Sequence, residues 1–302
     1  MNKQTVSATA RLIAKATILN ANDDATRNIV TPRAGELSQA FLADGAWVDR
    51  HFTSLLRVPG IKTLLFTLER LIKPGLTIHY ALRKRVIEDL VLRHIDDGQC
   101  RQVVVLGAGF DTLSLRVSIS HPRMQFFEID RPSVIQSKVR GLARIREAPE
   151  NIHFVPCNEV EDFVPTLFQR CEFLRDANTL VLIEGVLMYL ASDQVRRLFR
   201  DLRGMSCSTS AIFTYLQPIG AYEATNRPIA ERLSDLWLHR KGESYLWRVT
   251  PEELVRLCEE LGFRLQSSVC PRDDKDAFRA LSISKRSQTL PRDEWVARGV
   301  FV

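Results

Sequence analysis

From Arg101 onward, short apolar runs alternate with amphipathic stretches. Residues 103–106 are continuously apolar, the pattern of a strand buried on both faces. Comparable runs predict strands near 102–106, 125–129, 152–156, 179–184 and 210–216. Periodic stretches between them predict helices near 112–118, 132–147, 162–174 and 193–203. Strands alternating with helices imply a parallel sheet with helical crossovers. Residues 1–100 show no strand alternation. Val6, Ile13, Ala14, Ile18 and Leu19 mark an amphipathic helix over 6–19, and Pro59-Gly60 and Pro74-Gly75 mark turns. A further helix over 83–92 leads into the first strand.

The C-terminal part has its own punctuation. Thr250-Pro-Glu-Glu253 is a capping box with proline at the first helical position. Leu254, Leu257 and Leu261 form the buried stripe of that helix, and Gly262 ends it. Two strands then follow, near 264–270 and 278–284, close enough to pair antiparallel. The predicted class is α/β, a mainly parallel seven-stranded sheet with helices on both faces and an antiparallel hairpin at its end. Residues 1–80 are too long for a linker and are expected to form a helical cap. Residues 81–302 form the sheet domain, with a helical insertion near 217–248 that includes a helix over 222–240.

Bulk properties narrow the partners. The chain of 302 residues is 45% hydrophobic and 26% charged, as expected of a globular protein able to bury a core. Its net charge of +6 is not concentrated. Arg196, Arg197, Arg200 and Arg203 share a helix with Asp193 and Asp201, whose other face is Val195, Leu198, Phe199 and Leu202. That is a solvated helix face, and nucleic acid is not an expected partner. Six scattered cysteines form no C-x-x-C pair, which excludes a zinc frame and reads as reduced thiols. No apolar run approaches the ~20 residues needed to cross a bilayer, and the first residues lack a signal core. A cytoplasmic protein without a membrane partner is expected.

The candidate chemistry lies directly after the first strand. Gly107-Ala-Gly109 lets the backbone turn tightly and approach a ligand, and the next strand ends on Glu128 and Asp130. Either carboxylate can accept from both hydroxyls of a ribose. A dinucleotide site would carry a third glycine where Thr112 stands, and Asp111 within the turn would repel a diphosphate. An adenosine ligand without phosphates, such as S-adenosylmethionine, avoids that conflict. Glu184 ends the apolar run 180–183 at the fourth strand's carboxyl end, where ligands of open α/β sheets bind. An acid there is poor structural filler.

These pieces together resemble the leucine carboxyl methyltransferase family of S-adenosylmethionine-dependent O-methyltransferases, which includes bacterial members in natural-product pathways. The resemblance rests on Arg83 with Glu88, on Leu106-Gly-Ala-Gly-Phe-Asp-Thr112, on Phe127-Glu-Ile-Asp-Arg-Pro132 and on Ile183-Glu-Gly-Val-Leu-Met-Tyr-Leu190. It covers about residues 80 to 205 and implies a Rossmann-like class I methyltransferase fold. Carried over, Gly107 and Gly109 line the cofactor and Asp130 holds its ribose, with Glu128 as the alternative. Arg83 reaches the methionine carboxylate by a bidentate contact, and Glu184 holds the ammonium. The family usually has Asp-Leu after the third strand. Here Cys157-Asn158-Glu159 stands there, and the Asn158 side-chain oxygen can still accept from the adenine amino group.

Catalysis is then mainly positioning, with Tyr189 facing the reacting groups. A carboxylate acceptor is already ionised at neutral pH, whereas a hydroxyl needs a base. None of the six histidines lies at a predicted carboxyl strand end, which favours a carboxylate or an acidic hydroxyl. Arg33, Tyr80, Tyr215 and Arg227 are the candidate acceptor contacts. Tyr222, Leu233, Trp237, Tyr245 and Trp247 in the insertion can line an apolar pocket, so the expected partner is a small-molecule acceptor, with biosynthetic-pathway enzymes as neighbours. The rival acceptor is a protein C-terminus. Tyr80 and Lys84 form a Y-x-x-x-K pair as in NADP-dependent reductases, but ahead of the glycine turn rather than after it. A third reading is a cofactor-binding protein without turnover.

Overall fold

The computed structural model describes residues 7–147, 149–218, 244–281 and 290–302. Among the described residues, six α-helices precede the sheet: Ala8–Ala21 (α1), Pro32–Phe41 (α2), Trp47–Arg50 (α3), Phe52–Leu55 (α4), Ile61–Ile72 (α5) and Leu76–Asp96 (α6). The Ser7 and Thr31 side chains accept from the first-turn N–H groups of α1 and α2, and Pro32 occupies the first turn of α2. α6 runs without a break through residue 80.

The strands are Gln102–Leu106 (β1), Gln125–Asp130 (β2), Ile152–Pro156 (β3), Thr179–Ile183 (β4), Thr209–Leu216 (β5), Phe263–Val269 (β6) and Glu294–Phe301 (β7). Their order across the sheet is β3-β2-β1-β4-β5-β7-β6. β1 to β5 are parallel, and β7 pairs antiparallel with both β5 and β6. The order reverses between β1 and β4, which creates a crevice at their carboxyl ends. Helices Leu113–Ser120 (α7), Pro132–Arg144 (α8), Phe163–Phe168 (α9) and Ser192–Arg203 (α10) make the crossovers, and Pro251–Glu260 (α11) leads into β6.

β1 is buried throughout because it feeds two cores. Val103 and Val105 join Ile18, Phe41, Leu82 and Phe126 on the face covered by the N-terminal helices. Val104 and Leu106 join Phe127, Val181, Phe199 and Phe263 on the other face. The alternation that defines a strand thus distributes a continuous apolar run between two layers.

Two expectations shift. The final strand was expected near 278–284, but Lys275–Arg279 is a helix (α12), and the strand lies at Glu294–Phe301. Asp274 accepts from the N–H groups of Asp276 and Ala277, which starts a helix where an apolar run suggested extension. The expected helix over 162–174 is a 3₁₀ turn at Val160–Asp162 followed by the short α9. The expected helix over 222–240 lies outside the described residues, as does Arg227. Among the described residues, no helix is long and apolar enough to cross a membrane.

Candidate functional site

The crevice is a cavity of about 440 Å³. Arg83, Gly107, Gly109, Asp130, Asn158, Glu159 and Glu184 all line it, and so does Tyr189. They arrive from α6, the β1 turn, the end of β2, the β3 loop and the end of β4. Topology therefore gathers eight residues spread over about a hundred positions of chain.

The turn after β1 depends on its glycines. Gly107 has φ +68° and donates its N–H to the Ile129 carbonyl at 2.8 Å. A Cβ at this position would sit 2.3 Å from Val186 Cγ2, so glycine is required by both conformation and space. Gly109, at φ +49°, donates its N–H to Asp130 Oδ2 at 2.7 Å. Asp130 Oδ1 accepts from the Arg131 N–H at 2.6 Å. A carboxylate offers about four acceptor sites, so roughly two remain for a vicinal diol. Burial raises the Asp130 carboxyl above its usual range, and the two backbone donors act against that rise.

Glu128, the alternative ribose ligand, is used elsewhere. It is fully buried, and its Oε2 lies 2.5 Å from Lys138 Nζ, itself fully buried on α8. Lys138 also donates to the Asp111 carbonyl at 2.8 Å. Glu88 is likewise occupied, gripped by Arg116 of α7 at 2.5 and 2.8 Å.

Glu184 sits in a dense charge network. Its Oε1 is 3.0 Å from Arg83 Nε and 2.7 Å from Arg83 Nη2, and Lys84 Nζ reaches both its oxygens at 3.2 Å. Arg83 Nη1 donates to Glu294 at 2.8 and 2.9 Å, so the guanidinium bridges two carboxylates. At 3% exposure it is nearly shut off from the cavity that it borders. Lys84 also lies 3.0 Å from Asp111. Burial alone would raise Asp111, but Lys84 and Lys138 hold its carboxyl down at about 2. Its Oδ1 also accepts from Thr112 and Leu113 at the start of α7. Asp111 is therefore anionic within the turn, as its repulsion of a diphosphate requires, but Lys84 offsets part of its charge.

The candidate acceptor contacts divide. Tyr80 lines a smaller side cavity of about 40 Å³ next to the main one, with Tyr189 and Tyr245. Tyr215 does not reach either cavity. It points with Phe213 into the core and meets Ser268 Oγ at 3.0 Å, because strand alternation turns both rings to that face. Arg33 pairs with Glu36 and Glu147 and lines neither cavity. Lys84, Glu294 and His79, which also lines the side cavity, were not among the site residues inferred from sequence. Glu294 starts β7, and the misplaced final strand hid it.

The family model described as Leucine carboxyl methyltransferase matches residues 21–203, further toward the N-terminus than the motifs reach. A Mycobacterium ulcerans protein, provisionally named an S-adenosyl-L-methionine-dependent methyltransferase, is 31% identical over 164 residues, 54% of this chain and 52% of that protein. A Mycolicibacterium smegmatis protein of similar name is 25% identical over 217 residues, 66% of this chain and 71% of that one. The chain spans about half the length of the first curated relatives that it matches. Among solved structures, a provisionally named methyltransferase from Thermobifida fusca has a TM-score of 0.58 at 18% identity, covering 88% of this chain and 93% of its own. A DUF574-family protein from Streptomyces avermitilis has a TM-score of 0.61 at 14% identity, covering 88% and 97%. With the observed strand order, these likenesses make the fold that of the Rossmann-like class I methyltransferases.

Proposed function

Since this chain belongs to the leucine carboxyl methyltransferase family, we propose that it binds S-adenosyl-L-methionine in the 440 Å³ cavity and methylates an oxygen of a small, largely apolar metabolite. The acceptor oxygen is a carboxylate or a hydroxyl. The observation that carries the reading is the charge of the cavity wall. Asp111, Asp130, Glu159, Glu161 and Glu184 face only Arg83, Lys84 and Arg131 among the described lining residues. Five carboxylates against three cations repel a diphosphate and attract a ligand of net positive charge. A sulfonium, an ammonium and one carboxylate give the methyl donor that charge.

The residues present fit this ligand. Asp130 keeps acceptor sites for the ribose, Glu184 bears a carboxylate for the ammonium, and Asn158 stands after β3 for the adenine edge. Arg83 and Lys84 supply the nearby positive charge for the ligand's carboxylate. When bound, S-adenosylmethionine supplies an electrophilic methyl on a good leaving group. The protein's task is then to hold the acceptor in line, which can contribute ~7–11 kcal/mol.

Calorimetry with S-adenosylhomocysteine and with NADPH tests the assignment. The first is expected to bind and the second is not; tight NADPH binding without the first would refute it. Asp130→Asn and Glu184→Gln should each weaken S-adenosylhomocysteine binding while near-UV circular dichroism stays unchanged. Unaltered affinity in both variants would remove the site assignment. Transfer of label from S-adenosylmethionine to small apolar acids, alcohols and phenols then defines the acceptor.

A further inference from the structure

The side cavity contains a histidine whose environment goes beyond packing. This cavity shares Thr9, Ile13, Arg83, Gly185 and Tyr189 with the main cleft, so the two are neighbours with a common wall. At about 40 Å³ it admits the oxygen end of an acceptor rather than a whole molecule. His79 reaches it from α6, at 1% exposure. Its Nε2 lies 2.8 Å from Glu294 Oε2. Its Nδ1 is buried and has no hydrogen-bond partner among the described residues. A buried ring nitrogen without a partner is uncommon enough to call for an explanation.

The neighbours fix the tautomer. Burial pushes Glu294 up, but Arg83 and His79 hold its carboxyl down at about 2, so it is ionised and can only accept. His79 Nε2 therefore donates to Glu294, and Nδ1 is the ring nitrogen left without a protein partner. The other polar groups of this cavity are poor bases. Burial raises the Tyr80 and Tyr245 hydroxyls, which remain phenols. Arg83 and Lys73 are cations. Both Glu294 oxygens are engaged by Arg83, and Asp293 lies 3.5 Å from Arg248.

We propose that His79 Nδ1 is the general base of this site, that Glu294 orients it, and that the acceptor is an alcohol or a phenol rather than a carboxylate. The proposal rests on the methyltransferase reading above. No histidine lies at a predicted carboxyl strand end, which favoured a carboxylate or an acidic hydroxyl; His79 comes instead from a helix. In the step, the acceptor oxygen forms a bond to the methyl carbon, and the carbon–sulfur bond breaks with its electron pair left on sulfur. The hydroxyl proton passes to His79 Nδ1, and the resulting imidazolium is stabilised by Glu294 before the proton leaves to solvent. A carboxylate acceptor, ionised at neutral pH, would give such a base nothing to remove.

The test uses His79→Gln, which keeps a donor toward Glu294 but has no basic nitrogen. In nitrogen-15 spectra of the wild-type complex with S-adenosylhomocysteine at pH 8, His79 should show one protonated and one unprotonated ring nitrogen. A doubly protonated ring overturns the proposal. With labelled S-adenosylmethionine, the variant should lose about 10²–10⁴-fold in transfer to phenol, yet less than about tenfold to 4-nitrophenol, which is already ionised. Equal losses on both overturn it, as does a wild-type protein that methylates octanoate and neither phenol. Affinity of the variant for S-adenosylhomocysteine should match wild type; an affinity lost along with transfer marks a structural role and overturns it. Failure of the wild-type protein to bind S-adenosylhomocysteine refutes the methyltransferase reading itself, so the two failures are distinct.

Discussion

Replacing Lys138 by methionine tests which acidic residue at the end of β2 serves the ligand and which serves the fold. Lys138 and Glu128 are 0% and 1% exposed, and their charged atoms lie 2.5 Å apart. The ammonium also satisfies the Asp111 carbonyl and lies 5.3 Å from the centre of the Phe41 ring. Methionine matches the volume but leaves Glu128 as a buried carboxylate without a counter-charge. Removing one partner of a buried pair costs roughly 3–5 kcal/mol, because the remaining charge stays desolvated. In a chain of this size that corresponds to a fall of roughly 5–8 °C in Tm. Burial already raises the Glu128 carboxyl even with Lys138 beside it, so the variant should take up a proton there. Replacing both members, as Glu128→Leu with Lys138→Met, should recover most of the loss, since an apolar pair carries no desolvation penalty. Differential scanning calorimetry of the two single variants and the double variant is the assay. S-adenosylhomocysteine affinity should hardly change in Glu128→Gln and should fall in Asp130→Asn. A Lys138→Met loss below about 1 kcal/mol, or a double variant no more stable than the single, would refute the reasoning.

The remaining predictions use the same network and turn. Glu184→Gln should weaken S-adenosylhomocysteine binding by roughly 10–100-fold in calorimetry, the size of a hydrogen bond to a charged group; a change under about threefold would contradict the ammonium contact. Gly107→Ala should cost about 2–4 kcal/mol in denaturant unfolding, from the left-handed backbone and from the Val186 overlap. Adding Val186→Ala should recover only the steric share, and full recovery would show that the backbone is unstrained. Glu294 has its folded pKa depressed from 4.5 to about 2, so its stabilisation is complete above pH 4.5 and is lost as pH falls toward 2. The loss is about 3 kcal/mol by linkage. The stability gap between wild type and Glu294→Gln should therefore narrow on acidification, and a gap constant from pH 7 to 3 would contradict the assignment.

The residues that line the main cavity were legible in sequence because their signals are local. A glycine turn, an acidic strand end and an acid after an apolar run each lie within a few residues of a strand, and strand order brings them to one crevice. Asp130 and Glu128 could not be separated in that way. They differ by two positions and so share a face of β2, and only the packing of Lys138 from α8 shows which of them is occupied. Tyr215 misled for a similar reason: position near a strand end says nothing about which face the ring takes. Arg33 is accounted for by its partners Glu36 and Glu147.

The acceptor side was not legible because its key pair is separated by 215 positions, His79 on a helix and Glu294 at the start of the last strand. Neither residue carries a motif. Reading the final strand at 278–284 left Glu294 without a place in the sheet, and discounting Lys84 with Tyr80 removed the second cation beside Glu184. Once β7 is placed between β5 and β6, its first residue falls beside Leu216, the last residue of β5, at the same end of the sheet as Glu184. An antiparallel strand thus delivers by its start what the parallel strands deliver by their ends. Arg83 then has a carboxylate on either side, Glu184 toward the cofactor cleft and Glu294 toward the side cavity. A change in the charge of either carboxylate alters the other's partner. Glu294→Gln, which removes a charge that Arg83 holds directly, should therefore shift cofactor affinity as well, through Arg83 and without contact to the cofactor.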